Sequence, residues 1–272
     1  MKMARFLDRA KREFFSFQNT FVLKVSATSH DDIGIVTAFD SSHFLSGEQL
    51  LNSLKVQGID QSVFFYDLGL SASQLESIRN NFPLLKVRKF PFDKYPSFVK
   101  MQSNAGQYAW KPIIVNLMLQ ERFDHLLWLD AGDSLLGDLT NINKLIDKFG
   151  FFATPTSNTI LELTHKDSIV RLGVNPSDCN QLQLSAAFIG FCTKHPVASS
   201  LIRNWGLSAL EEAVIAPFGS DRSNHRQDQS IFNLLIVRDH YLRKVSEKII
   251  ARRYLPKHHH ILTHQDIDSI LS

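Results

Sequence analysis

The run His125-Leu-Leu-Trp-Leu-Asp130-Ala-Gly-Asp133-Ser-Leu-Leu-Gly137-Asp138 constrains this chain more than any other stretch. No polar residue interrupts positions 126–129, so neither face of a strand there would meet water. Continuously apolar strands belong in the middle of a mostly parallel sheet covered by helices on both sides. Two carboxylates follow, separated by an Ala-Gly step, at the carboxyl end of that strand, where open α/β sheets hold their ligands. Hard cations take oxygen ligands, and Mg²⁺ is commonly held by one or two carboxylates together with substrate phosphates. Asp130 and Asp133 are therefore candidate ligands for Mn²⁺ or Mg²⁺ and the diphosphate it carries. A polar turn ending a strand explains the same residues without any ligand.

The preceding segments supply the rest of such a sheet. Ile33-Gly-Ile-Val-Thr-Ala-Phe39 reads as the first strand. The pattern then predicts a helix over 46–56 with Leu50, Leu51 and Leu54 facing in, and a strand over 63–67. A helix over 73–80, capped by Ser71 or Ser73, and a short strand over 85–87 follow. This βαβαβ order implies parallel strands joined by right-handed crossovers. No G-x-G-x-x-G follows the first strand and no G-x-x-x-x-G-K-[ST] occurs, which disfavours a dinucleotide fold and a P-loop. Asp40, closing the first strand, either contacts a nucleotide base or ribose or caps a helix. Residues 90–105 read as a loop and 107–119 as a helix packed under the acidic strand. Lys111, near that helix start, either neutralises a departing diphosphate or is a solvated surface lysine.

With 272 residues, 44% of them hydrophobic, the chain can bury a large core. The expected division is a helical extension over 1–30 and one domain over 31–272. In the extension Met3, Phe6, Leu7, Ala10, Phe14 and Phe17 share a helical face flanked by Lys2, Arg5, Arg9, Lys11 and Arg12. Such a helix packs on its own domain or makes peripheral contact with an anionic membrane. A net charge of +3 is too mild to imply nucleic acid but suits an anionic ligand. Cys179 and Cys192 show neither metal nor redox spacing, so free thiols and a cytoplasmic setting are expected. There is no apolar run long enough to span a bilayer and no signal-peptide core.

Several of these motifs, in this order, resemble family 8 glycosyltransferases and other GT-A enzymes. Ile35-Val-Thr-Ala-Phe-Asp40-Ser-Ser-His-Phe-Leu-Ser-Gly47 is similar to their first strand and its nucleotide-holding turn. Trp128-Leu-Asp130-Ala-Gly-Asp133-Ser-Leu-Leu-Gly-Asp138-Leu is similar to their hydrophobic strand, D-x-D motif and following Gly-Asp-Leu. Tyr108-Ala-Trp-Lys111 stands where the family carries a basic donor-binding residue, and a GT-A-like group of unknown function also has an Ala-Trp-Lys-Pro helix there. Leu184-Ser-Ala-Ala-Phe-Ile-Gly190-Phe resembles the strand lining the sugar pocket, and His225-Arg-Gln-Asp228-Gln-Ser230 an Asp-Gln segment at a helix start.

The resemblance implies a GT-A-like α/β fold, a mostly parallel nucleotide-binding sheet flanked by helices. It also implies transfer of a sugar from a nucleotide diphosphate sugar to a glycan, lipid-linked or protein acceptor, assisted by metal. Donor binding would then fall to Thr37, Ala38, Asp40, Lys111, Asp130 and Ala131, and catalysis to Asp228 and Lys111. Asp228 would accept hydrogen bonds from donor-sugar or acceptor hydroxyls, unless it only caps the helix over 229–236. The metal would be held by Asp130, Asp133 and one of His258, His259, His260 and His264, with His260 as the working assignment. One departure stands out: Gly132 occupies the place of the second D-x-D carboxylate, and Asp133 comes one residue later. A positive φ at Gly132 would let Asp133 swing back toward the ion; otherwise Lys111, Arg222 or Arg226 would hold the diphosphate without metal. Two alternatives remain. One is a non-catalytic GT-A-like domain binding glycans or a partner. The other is a sugar-phosphate nucleotidyltransferase, against which stands the lack of a Gly-rich, basic loop after the first strand.

Overall fold

The computed structural model describes residues 33–121, 123–137, 139–239, 261–263 and 266–268. The expected N-terminal helix, Asp138, His258, His259, His260 and His264 lie outside the described residues. The strands are β1 (Ile33–Phe39), β2 (Val63–Asp67), β3 (Lys86–Lys89), β4 (His125–Leu129), β5 (Ser134–Leu135), β6 (Phe151–Thr159), β7 (Leu182–Cys192) and β8 (Ile261–Leu262). The helices are α1 (Phe44–Val56), α2 (Ala72–Asn81), α3 (Trp110–Leu117), α4 (Thr140–Phe149), α5 (Lys166–Arg171), α6 (Pro196–Ser208), α7 (Glu212–Ile215) and α8 (Gln227–Arg238).

Six strands form one sheet in the order β3-β2-β1-β4-β7-β6, and β5 pairs with β8. β1 runs parallel to β2 and β4, and β2 to β3, whereas β7 is antiparallel to both β4 and β6. Within the six-stranded sheet every strand but β7 therefore points one way, the mostly parallel α/β sheet that the sequence predicts. β4 is buried along its whole length, as its unbroken apolar run requires. Its side chains alternate between two cores: Leu126 and Trp128 pack with α3, α6 and α8, Leu127 and Leu129 with α1 and α4. Each layer of helices thus seals one face of the sheet.

Ser71 is the cap of α2, forming a reciprocal capping box with Gln74. The helix expected over 107–119 begins only at Trp110. Residues 104–108 all hold φ between +49° and +61°, a left-handed turn that precedes α3. Pro112 falls in the first turn of α3, where its missing N–H leaves no intrahelical bond unmade.

The chain leaves β1 toward β2 on one side, while β4 lies on the other. The strand order reverses between β1 and β4, and a ligand crevice is expected at their carboxyl ends.

Candidate functional site

A cavity of about 260 Å³ opens at that reversal, its walls including Ala38, Asp40, Lys111, Asp130, Ala131 and Asp133, together with Tyr108, Arg222 and Asp266. Of the residues expected to hold the donor, Thr37 alone is elsewhere. Alternation along β1 turns it to the face opposite Val36 and Ala38, fully buried, with its Oγ1 unpartnered among the described residues. Asp40 takes the capping role and also stands at the cavity. It borders the cavity, caps the turn Ser41–His43 by accepting from Ser42 N–H at 3.2 Å, and pairs with His43 at 3.0 Å.

The four residues after β4 form a tight acidic turn. Asp133 N–H donates to the Asp130 carbonyl at 2.9 Å, and Asp130 N–H donates to Asp133 Oδ2 at 3.1 Å. This returns the second carboxylate toward the first without the left-handed glycine that the sequence suggested, because Gly132 has no positive φ. The glycine serves space instead: a Cβ there would lie 2.5 Å from Asp266 Oδ1. Asp266 had no signal of its own in a C-terminal stretch read for its histidines. It arrives because β8 pairs with β5 and because Asp268 accepts from the N–H groups of Leu45 and Ser46 at 3.0 and 2.8 Å.

Lys111 is not a surface lysine. Its side chain is 5% exposed, with Nζ 2.7 Å from Asp130 Oδ1 and 3.2 Å from Asp228 Oδ2, and it donates to the Ala186 carbonyl at 3.3 Å. Burial alone would lower its pKa, but the two carboxylates outweigh this and hold it above the usual lysine range. Trp128 Nε1–H fixes Asp130 Oδ1 from the other side at 2.7 Å. Asp133 is fully buried, its Oδ1 has no hydrogen-bond partner among the described residues, and burial followed by the charge of Asp130 pushes its pKa well up. Burial also raises Asp228, beyond what Lys111 offsets.

Asp228 sits in the first turn of α8, but the cap position belongs to Arg226 and the carboxylate turns to Lys111. Together with Ala186, Ala187, Arg226 and Gln229 it lines a second cavity of about 110 Å³, which shares Tyr108, Lys111, Asp130 and Arg222 with the first. Gln229 and Asn233 of α8 bond the backbone of β7 at Ala186 and Leu184, setting that wall. Arg222 Nη1–H donates to Tyr108 Oη at 2.9 Å, with its guanidinium 5.4 Å from the ring centre. The carboxylates of Asp130, Asp133 and Asp266 line this cavity and offer oxygen donors, the kind that Mg²⁺ and Mn²⁺ take.

Fold and site together define an α/β domain with an acidic cleft at the sheet's switch point. Residues 12–116 match a family model described as a protein of unknown function, DUF1647. No curated protein matches the chain. Among solved structures, it is similar to galactosyltransferase LgtC with donor and acceptor sugar analogues, at 16% identity and TM-score 0.46, covering 74% of this chain and 70% of that one. It is also similar to mouse xyloside xylosyltransferase 1, at 12% identity and TM-score 0.49, covering 85% and 96%.

Proposed function

We propose that the chain is a glycosyltransferase that moves a sugar from a nucleotide diphosphate sugar to a hydroxyl-bearing acceptor. The observation that carries this is the buried Asp133 Oδ1, unpartnered among the described residues, beside Asp130 in a cavity that shares four lining residues with a second one holding Asp228. The larger cavity takes the nucleotide diphosphate and the smaller one the sugar. Asp130, Asp133 and Asp266 would hold Mn²⁺ or Mg²⁺, which supplies charge to a departing diphosphate.

The protein's own groups do the positioning. Lys111 holds Asp130 and Asp228 at a set separation, acting on the reaction through them. Asp228 accepts hydrogen bonds from sugar hydroxyls, fixing the reacting carbon against the acceptor. Arg222, planar and held by Tyr108, presents donors to phosphate oxygens. Glycan, lipid-linked and protein acceptors all offer the required hydroxyl. No described helix is long and apolar enough to cross a membrane.

The test is a thermal-shift panel of nucleoside diphosphates and nucleotide sugars with Mn²⁺, Mg²⁺ or chelator. At a hundredfold excess over Kd a ligand of the folded state adds about 2.7 kcal/mol of stability. The expected result is a rise with a nucleoside diphosphate that requires the cation and is lost in Asp130→Asn. A flat panel across every nucleotide overturns the reading.

A further inference from the structure

At the amino end of β4, the end opposite the acidic turn, ligand-type side chains from three elements converge. His125 opens β4, Cys192 ends β7 as its partner in the antiparallel register, and Asp147 projects from α4. His125 Nε2 lies 2.6 Å from Asp147 Oδ1, and ligand atoms of the three residues all fall within 4.8 Å of one another. His125 is fully buried, yet its Nδ1 has no hydrogen-bond partner among the described residues. An aspartate holding a buried imidazole would explain one contact and leave that nitrogen without a partner among the described residues. Asp147 is half-exposed, so solvent and ions reach the cluster. The thiol is free, and burial together with the charges of Asp147 and Asp124 disfavours its anion. The same negative surroundings attract a cation, which would in turn favour the thiolate.

We propose that His125, Asp147 and Cys192 form a second divalent-cation site, taking a borderline-soft ion such as Zn²⁺ and distinct from the all-oxygen cleft. Sulfur, imidazole and carboxylate donors are the set Zn²⁺ accepts, whereas Mg²⁺ prefers oxygen alone. On binding, the Cys192 S–H bond breaks, the sulfur keeps the pair and bonds the metal, and one proton leaves to solvent. His125 would bond the metal through whichever ring nitrogen carries no proton, so its own proton count does not change. The ion would join α4 to β4 and β7, cross-linking a helix to the sheet it covers, with the exposed side left to water. The spacing of the two cysteines concealed this, because the ligands lie 22 and 45 residues apart along the chain.

The experiment is a Co²⁺ titration of the full chain followed by optical spectroscopy. Only a site containing cysteine yields a sulfur-to-cobalt charge-transfer band, so the acidic cleft is silent in this assay. One equivalent should saturate the band, Zn²⁺ should abolish it, and Mg²⁺ should leave it intact. Cys192→Ser should lose it, Asp147→Asn should weaken cobalt binding, and Asp130→Asn should retain it. Zn²⁺ should raise the melting temperature of the wild type and of Asp130→Asn, but not that of Asp147→Asn, whose half-exposed position tolerates the change. No band in the wild type, or a band that survives Cys192→Ser, overturns the proposal. So does a Zn²⁺-induced melting shift that disappears only in Asp130→Asn.

Discussion

Asp133 concentrates the tension of the cleft in one side chain. It is fully buried beside another carboxylate, and only one of its oxygens is hydrogen-bonded among the described residues. Burial and the Asp130 charge raise its pKa, so the folded state keeps a proton that the unfolded chain releases near pH 4. Folded protein then binds more protons than unfolded, and stability falls as pH rises from about 4 through the raised value. Asp133→Asn removes that dependence. Without metal, the variant should match the wild type near pH 4 and exceed it in denaturant midpoint at pH 7.5, while losing cation-dependent nucleotide binding. A variant less stable than wild type at pH 7.5 would show that the carboxylate is held by something other than a ligand to come. The carboxylate pair itself was legible in the chain, since Asp130 and Asp133 stand together after an apolar strand. Asp266 was not, because its place depends on a contact 133 residues away from Asp133.

At the scale of elements, the left-handed turn over residues 104–108 determines where Tyr108 and Lys111 stand. Non-glycine residues in this region cost roughly 1–2 kcal/mol each, so neighbouring structure must hold them there. Part of the hold is visible: Trp110 Nε1–H donates to the Ala105 carbonyl at 2.9 Å, and Arg222 bonds Tyr108. Gly106 is the close-approach point, since a Cβ there would lie 2.2 Å from the Val99 carbonyl at a φ of +61°. Gly106→Ala should destabilise the fold by about 2 kcal/mol or more in urea unfolding. It should also weaken nucleotide binding by shifting Tyr108; unchanged values for both would mean the turn does not position the cleft. Helical periodicity over 107–119 pointed to one continuous helix there. Five consecutive left-handed residues override it, and nothing local in Asn-Ala-Gly-Gln-Tyr announces them beyond one glycine.

Across the whole molecule, His225 ties segments that are distant in sequence. Its Nε2–H donates to the Ile215 carbonyl at 3.0 Å, and its Nδ1 accepts from His165 N–H at 3.2 Å, joining the ends of α5, α7 and α8. Burial pushes its pKa down to about 4, against the ordinary 6.5. The unfolded chain therefore takes up this proton first as pH falls, and stability is lost between about 6.5 and 4. At about 1.4 kcal/mol per unit, this removes about 3 kcal/mol. His225→Gln lacks that component, so the stability gap between wild type and variant should narrow by about 3 kcal/mol from pH 7 to pH 4. A gap independent of pH would mean that His225 titrates normally. The sequence by itself determined the sheet, because an apolar run such as 126–129 can be satisfied only by burial on both faces, and the strand-helix alternation that leads to it sets the strands parallel. It also located the acidic pair at a strand's carboxyl end, since both residues adjoin that strand. Only the tertiary structure decided the rest. The burial of Lys111 between Asp130 and Asp228, the arrival of Asp266 at Gly132, and the meeting of His125, Asp147 and Cys192 all join residues far apart in the chain. Such contacts depend on how helices and strands pack, a long-range outcome that no local pattern encodes.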